Sequence, residues 1–384
     1  MARATEVPIN PAVLRWAIEE SGVSKAQLAG RVKVDHDVLE RWLSGKARPN
    51  RTQFGRLRTA TRRQAAVFFL PAPPSGVSAP VHFRHPHDSR RETMNARERR
   101  LVRRAGRLQR TVSWLAQQLG DRTTCLPEAS LIEEADGPVG AAREHLGIPI
   151  DEQLRWRSPV EAQRKWRTAL EGAGVIVMLL PLGEESSRGF SLWDPYAPLV
   201  AANTAWNYQA RAFSLFHEVG HLLLRSNSAC LGYPGRRVPK RDDPEERWCE
   251  RFAAAFLLPE SAVRHFVLNT LRVRGRHVQD ITAAGRLANA FSVSLRATVL
   301  RLIDCGLADW ELWRKIPPLA DHKRKGGPAT GGGRRRPRKR LDEYGARTVR
   351  TFLEGIENDL ITTADVRSQL NVQAYELDLL RHPG

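Results

Sequence analysis

The sequence predicts a mainly helical α+β protein, in which an all-α N-terminal unit precedes a larger domain with a small sheet. Residues 10–70 repeat apolar side chains at helical spacing between short polar breaks, which is typical of several short helices. The run GVIVMLLPL at 174–182 has the length and the β-branched content of a buried strand. Helical patterns then dominate from Asn207 to about Trp313, so the sheet is expected to be small.

Residues 1–75 are predicted to form a helix-turn-helix domain. A first apolar stripe ends at Gly22, and Ser24 can cap the second helix. A third helix begins at Asp35 or His36 and is closed by Gly45. Two short helices joined by a tight turn are the pattern of this motif, whose second helix often enters the major groove of DNA.

The third helix and the loop after it are the part of this domain that would contact DNA. The acids Asp35, Asp37 and Glu40 would meet the phosphate backbone unfavourably, because helices that read DNA usually present arginine, lysine, asparagine or glutamine. Docking of a protein partner or of a second copy therefore stays open as the alternative role, and Trp42 is expected to be a core residue. The candidate DNA-contacting residues are Lys33, His36, Arg41, Lys46 and Arg48.

The rest of the chain is expected to divide into four segments, whose bounds follow from the elements predicted within them. A basic helix is predicted over 95–120, a capped helix from Ser158 to Gly172, and short strands at 189–193 and 199–203. A run rich in glycine, arginine and lysine then reads as a flexible linker. The predicted segments are a basic helical connector (76–124), a second folded domain (125–316), a flexible polybasic linker (317–340) and a small helical appendage (341–384).

Composition favours a soluble, cytoplasmic protein. The longest apolar runs are far shorter than the roughly 20 residues that span a bilayer, and the four cysteines form no close pair that would indicate a disulfide framework. The net charge of +19 favours nucleic acid or an acidic protein as partner but specifies neither. The histidines of HFRHPH at 82–87 could hold a metal, although a loop role suits this irregular, arginine-rich segment better.

The segment FSLFHEVGHLLL at 213–224 carries the clearest chemistry. His217 and His221 are four residues apart, so on a helix they lie about 40° apart and can bind one ion together. Glu218 is placed to reach a water on that ion instead of the ion itself. Zinc lowers the pKa of such a water towards about 7, and a carboxylate beside it can take the proton during attack on a peptide carbonyl. The pattern predicts a zincin-like peptidase domain with one metal ion, zinc or alternatively manganese, and Glu218 as the catalytic base.

A third metal ligand is expected from EERWCERFAAAFLLP at 245–259. Glu246, Cys249 and Ala253 fall on one helical stripe, and the small side chains at 249 and 253 would let this helix pack closely against the first. Glu246 is therefore favoured over Glu250, which shares part of the same face. Cys249 could be a thiolate ligand, but a buried packing role suits it better.

With these motifs the sequence resembles the ImmA/IrrE family of metallopeptidases, particularly members that carry an N-terminal XRE-type helix-turn-helix domain. The resemblance implies that the third metal ligand is Glu246, because the family glutamate stands three residues before the Ala or Cys of its second motif. Glu250 stands where the family commonly has asparagine. The resembling segments are VLRWAIEESGVSKAQLAGRVKVDHDVLERWLSGKARPN, AVFFLPAPP, HFR, PLVAAN, QARAFSLFHEVGHLLL, ERWCERFAAAFLLP and LANAFSVSLRATVLRLIDCGL.

The resemblance also implies an activity, namely cleavage of a partner helix-turn-helix repressor to release gene expression in mobile-element immunity or a stress response. Zinc peptidases often bind an extended substrate along an exposed strand beside the active helix. Two alternatives stay open: a DNA-binding regulator whose peptidase-like domain senses or binds a partner, and one component of a toxin–antitoxin or phage-defence pair. The candidate substrate-binding strand consists of Leu199, Val200, Ala201, Ala202 and Asn203.

Overall fold

The computed structural model describes residues 6–21, 23–61, 63–73, 96–226, 243–273, 277–318, 321 and 336–381. Within these ranges the chain divides into two compact units. The first unit takes the described residues up to 73 together with 96–104, and the second takes those from 105 onward. No helix in the described ranges is long and apolar enough to cross a membrane.

Short helices build the first unit. They are α1 (Pro11–Ser21), α2 (Lys25–Val32), α3 (His36–Leu43), α4 (Arg51–Thr61), a 3-10 helix (Ala65–Phe69) and the start of α5 (Ala96–Gln118). Ser24 caps α2 as predicted: its side chain accepts a hydrogen bond from the Gln27 backbone N–H, and the Gln27 side chain accepts one from the Ser24 N–H. Lys33 ends α2 in the left-handed conformation, with φ of 61°. The chain can therefore turn sharply before α3 begins.

Large apolar side chains close the core of this first unit. Trp42 is 1% exposed, which confirms its predicted role as a core residue. Phe54 and Phe68 meet edge to face with their ring centroids 5.5 Å apart, so the 3-10 helix is held against α4. Glu20 at the end of α1 forms an ion pair with Arg63 at 3.3 Å.

The second unit contains the rest of α5, further helices and one small sheet. Ser158 caps α8 by accepting a hydrogen bond from the Glu161 N–H at 3.2 Å, and Pro159 follows at the first helical position, so the predicted helix up to Gly172 is confirmed. The predicted basic helix at 95–120 is confirmed as α5. The further helices are α6 (Val139–His145), α7 (Ile150–Leu154), α8 (Pro159–Gly172), α9 (Tyr208–Leu223), α10 (Pro244–Leu257), α11 (Glu260–His265), α12 (Ile281–Ala290), α13 (Leu295–Asp304) and α14 (Trp310–Arg314).

The sheet comprises β1 (Ile176–Leu180), β2 (Gly189–Leu192) and β3 (Leu199–Asn203) in the order β1–β3–β2. β3 pairs with β1 in parallel and with β2 in the antiparallel direction, and all five of its residues are buried. The expectation of an exposed edge at Leu199–Asn203 is therefore wrong. The sequence predicts the strand at 199–203, but the pairing that places it in the centre of the sheet is a long-range property.

Helices also form at the end of the chain: α15 (Arg336–Tyr344), α16 (Ala346–Glu357), α17 (Thr363–Leu370) and α18 (Ala374–Arg381). Arg167 on α8 donates hydrogen bonds to the carbonyl oxygens of Asp342 at 2.6 Å and Val177 at 2.8 Å, so it joins α15 to β1. The expectation of a flexible linker up to residue 340 is wrong for 336–340, which are helical. Most of that linker and the HFRHPH cluster at 82–87 lie outside the described residues.

Candidate metal centre

Helix α9 carries the HEVGH segment through the centre of the second unit. Asn207 caps the helix by accepting a hydrogen bond from the Ala210 N–H at 2.8 Å. Every residue from Ala210 to Leu223 is buried, because α9 packs against α8, α10, β2 and β3. His217, Glu218 and His221 are 0%, 1% and 1% exposed. Burying these polar side chains would be costly unless they bind one another or an ion.

The approach of α10 to α9 depends on a glycine. A Cβ atom at Gly220 would lie 3.1 Å from Cys249 Sγ and 3.2 Å from both Cys249 Cα and Cβ, so the backbones meet closely at this point. Cys249 and Ala253 are 0% exposed, which confirms the predicted packing role of Cys249. Asp243 caps α10 and Pro244 begins it, and the first-turn carboxylates of Glu245 and Glu246 lie beside His221 and His217.

Glu246 and the two histidines converge on one point. One ligand atom from each of the three residues lies within 4.8 Å of the other two. The Nε2 atoms of His217 and His221 are 3.3 Å apart, and Glu246 Oε2 lies 3.2 Å from His217 Nε2. Glu246 Oε1 lies 3.6 Å from His221 Nε2. Among the described residues Glu250 does not belong to this cluster, so the geometry agrees with the choice of Glu246 as third ligand.

The donor set fits a metal ion. Two imidazole Nε2 atoms and a carboxylate oxygen from three residues are the ligands of many catalytic zinc sites, which leave a fourth position for water or substrate. Two nitrogens facing each other at 3.3 Å can share at most one proton, so a cation between them would satisfy both. His217 Nδ1 is buried and has no hydrogen-bond partner among the described residues.

The second ring nitrogen of His221 has a carboxylate partner that the sequence did not indicate. His221 Nδ1 lies 3.0 Å from Glu245 Oε1 and 3.4 Å from Cys249 Sγ. Glu245 is turned about 100° from Glu246 around α10, so the two neighbouring carboxylates reach opposite sides of one imidazole. Burial raises the pKa of the Cys249 thiol well above its usual value, and the nearby carboxylates, Glu246 and Glu245 first, raise it further. A protonated thiol is a weak hydrogen-bonding group, which agrees with the packing role.

Glu218 points towards the sheet, where β2 holds it. The Ser191 hydroxyl donates a hydrogen bond of 2.9 Å to Glu218 Oε2. Gly189 lies on the same face of β2, and a Cβ atom there would be 3.1 Å from Glu218 Oε1 and 2.6 Å from the Ala201 carbonyl oxygen. The only polar side chain of β2 therefore fixes the carboxylate. A glycine and a serine alternating with apolar residues in a buried strand are the signal by which the sequence could have indicated this contact.

The strand predicted to bind substrate has no free side. Both hydrogen-bonding sides of β3 are occupied by β1 and β2, so Leu199, Val200, Ala201, Ala202 and Asn203 cannot receive an added strand. β2 is the strand whose Ser191 touches Glu218, and β1 is covered by α15. Any strand that pairs with the sheet beside Glu218 would have to do so along β2.

The candidate DNA-contacting residues form a separate group on the first unit. Glu40, one of the acids expected to repel DNA, forms an ion pair with Lys25 at 2.7 Å, and the hydrogen bond from Lys25 lowers the pKa of Glu40. Part of the negative charge of α3 is therefore balanced within the unit. The residues that were proposed to contact DNA are all exposed: Lys33, His36, Arg41, Lys46 and Arg48.

The cluster on α9 and α10 thus has the form of a metallopeptidase site. Residues 170–302 match the sequence model of a family described as Peptidase_M78, IrrE N-terminal-like domain. This match covers the sheet, α9 and α10, and it supports both the resemblance to ImmA/IrrE peptidases and a metallopeptidase-like function for this part of the chain. A search of curated proteins finds no match. The match does not extend to the first unit, whose relation to XRE-type domains stays a prediction.

Proposed function

We propose that this chain is a zinc-dependent endopeptidase that cleaves a helix-turn-helix repressor. One observation carries the proposal: His217, His221 and Glu246 bring three ligand atoms within 4.8 Å of one another, and Glu218 follows His217 directly on the same buried helix. A site that only bound a metal for stability would commonly be closed by a fourth protein ligand. The described cluster has three, which suits a catalytic site.

Each residue of the site has its own role in the proposed hydrolysis. Zinc bound by His217, His221 and Glu246 would act as a Lewis acid that brings the pKa of water towards neutrality. Ser191 holds Glu218 through Oε2, and the Glu218 carboxylate would take the proton of the attacking water. Glu218 then passes this proton to the amine of the departing peptide. The burial of His217, Glu218 and His221 limits their contact with bulk water and strengthens their electrostatic contacts.

The proposal also includes the class of substrate and the partner of the first unit. The resemblance to ImmA/IrrE peptidases supports a repressor as substrate, in which a single cut would release the repressed genes. The first unit, with its exposed cations at positions 33 to 48, supports binding either to DNA or to that repressor. The rival function is a DNA-binding regulator whose peptidase-like unit only senses a partner, and the presence of Glu218 favours the enzyme because a sensor has no use for a catalytic base.

The test compares wild type with Glu218→Gln. Both proteins are expected to bind about one zinc per chain, because Glu218 is not among the converging ligands. Each is incubated with helix-turn-helix repressors encoded beside the gene, and products are identified by mass spectrometry. Cutting by wild type alone supports the proposal. Absence of zinc or another divalent metal in wild type contradicts the site, and zinc binding without cleavage, together with a shift of duplex DNA, supports the regulator instead.

A further inference from the structure

The two histidines of the metal centre differ in what holds their second ring nitrogen. His221 Nδ1 faces Glu245 Oε1 at 3.0 Å, whereas His217 Nδ1 has no hydrogen-bond partner among the described residues. A neutral imidazole carries its proton on one nitrogen only, and the partner of that nitrogen decides which one. A carboxylate only accepts, so its contact with Nδ1 favours the proton there, whereas Glu246 Oε1 lies 3.6 Å from Nε2, beyond hydrogen-bond distance.

Glu245 is held in the position that this contact requires. It lies in the first turn of α10, and its backbone N–H donates a hydrogen bond of 3.0 Å to the capping carboxylate of Asp243. A carboxylate in the first turn of a helix is also favoured by the helix dipole. The side chain of Glu245 is 15% exposed, so solvent competes little for its contact with His221.

Cys249 is a much weaker acceptor for His221 Nδ1 than Glu245. Cys249 Sγ lies 3.4 Å from Nδ1, and sulfur is a poor acceptor of hydrogen bonds. Glu245 does not belong to the three converging ligands, and it lies on the opposite side of the ring from Glu246. Its geometry therefore suits an outer partner of a ligand better than a fourth ligand.

We propose that Glu245 is a positioning residue for the metal centre, which fixes His221 in the Nδ1–H form and so presents Nε2 to the metal. This inference rests on the proposed function, since it concerns the affinity of the same site. Outer carboxylates of this kind typically contribute about 10- to 100-fold to metal affinity. Because Glu245 is not one of the three converging ligands, its effect should appear in metal binding before it appears in turnover.

The first measurement needs no metal. The full chain, labelled with ¹⁵N-histidine, is studied metal-free by long-range ¹H–¹⁵N NMR, and the His221 signals are assigned by their loss in His221→Gln. Wild type and Glu245→Gln are expected to show His221 in the Nδ1–H form, since the glutamine carbonyl oxygen also accepts. Glu245→Ala should populate the Nε2–H form. An unchanged Nδ1–H form in Glu245→Ala would overturn the proposal.

The second measurement is zinc affinity, obtained by competition with a chromogenic chelator. Glu245→Ala should bind zinc about 10- to 100-fold more weakly than wild type, while Glu245→Gln stays within a few fold. Glu260→Ala is the matched control, because Glu260 is also an acid in the first turn of a helix of this unit and pairs only with Arg264 among the described residues. Equal loss in the Gln and Ala variants would contradict the proposal, because it would indicate a charged ligand.

The two measurements separate this inference from the proposed function. If wild type binds no zinc but shows the expected histidine forms, the metal site fails while the role of Glu245 in fixing His221 stands. If wild type binds zinc and Glu245→Ala binds it equally well, the positioning role fails and the peptidase proposal stands. Thermal unfolding of each metal-free variant identifies any loss of affinity that arises from misfolding.

Discussion

Replacing Gly220 by alanine tests the contact that brings α10 to the metal centre. Alanine is normally favoured over glycine inside a helix by about 1 kcal/mol. At this position the new Cβ atom would lie 3.1 to 3.2 Å from Sγ, Cα and Cβ of Cys249. Since one of these atoms belongs to the backbone, side-chain rotation cannot relieve the contact, and α10 has to move by a few tenths of an ångström.

The expected change in the free energy of unfolding is the difference between two opposing contributions. Overpacking of a helix contact costs about 1–3 kcal/mol, and the gain in helix propensity offsets about 1 kcal/mol of it. We therefore expect Gly220→Ala to lower the free energy of unfolding by about 1 kcal/mol. Gly285, inside α12, is the matched control because a Cβ atom there would meet nothing within 4 Å. Gly285→Ala should raise the free energy of unfolding by about 1 kcal/mol, so the two variants should differ by about 2 kcal/mol.

The assay combines urea unfolding of the metal-free proteins with zinc affinity. A shift of α10 carries Glu246 away from His217 and His221, so Gly220→Ala should also bind zinc more weakly, whereas Gly285→Ala should bind it like wild type. If Gly220→Ala is as stable as Gly285→Ala and keeps its zinc affinity, the two helices do not approach each other as described, and the packing explanation of the site is refuted.

Two further predictions concern the immediate surroundings of the site. Ser191→Ala should lower kcat about 10-fold or more with zinc content unchanged, because a hydrogen bond to a charged group contributes about 1.5–3 kcal/mol. Restored activity in Ser191→Thr would support a positioning role for this hydroxyl. An unchanged kcat in Ser191→Ala would exclude that role. Cys249→Ala should keep its zinc, because Cys249 is not among the three converging ligands. Above the usual thiol pKa of 9.0, Cys249 stays protonated in the folded protein but ionises in the unfolded chain. The free energy of unfolding of wild type should therefore fall as the pH rises above that value, and more steeply than that of Cys249→Ala. The free energy of unfolding is measured in urea between pH 8 and 10. An equal pH dependence in wild type and Cys249→Ala would contradict this explanation.

Features that depend on local spacing along the chain were predictable from the sequence. Ser24 and Ser158 were predicted to cap their helices, and each accepts a hydrogen bond from the backbone N–H three residues later. The four-residue spacing of His217 and His221 places both on one side of a helix, whatever else surrounds it. The packing of Cys249 was also predictable, because small residues on an apolar stripe indicate a close helix contact.

The contacts between distant segments follow from the tertiary packing and not from any local spacing. β3 lies in the centre of the sheet because β1 and β2 pair with it on both sides, which no periodicity in 199–203 can show. Ser191 meets Glu218 across 27 residues, and Glu245 meets His221 across 24. A sequence pattern fixes the face on which a side chain lies, but the partner of that face is set by how helices and strands pack, and here that packing determines which atoms surround the metal centre.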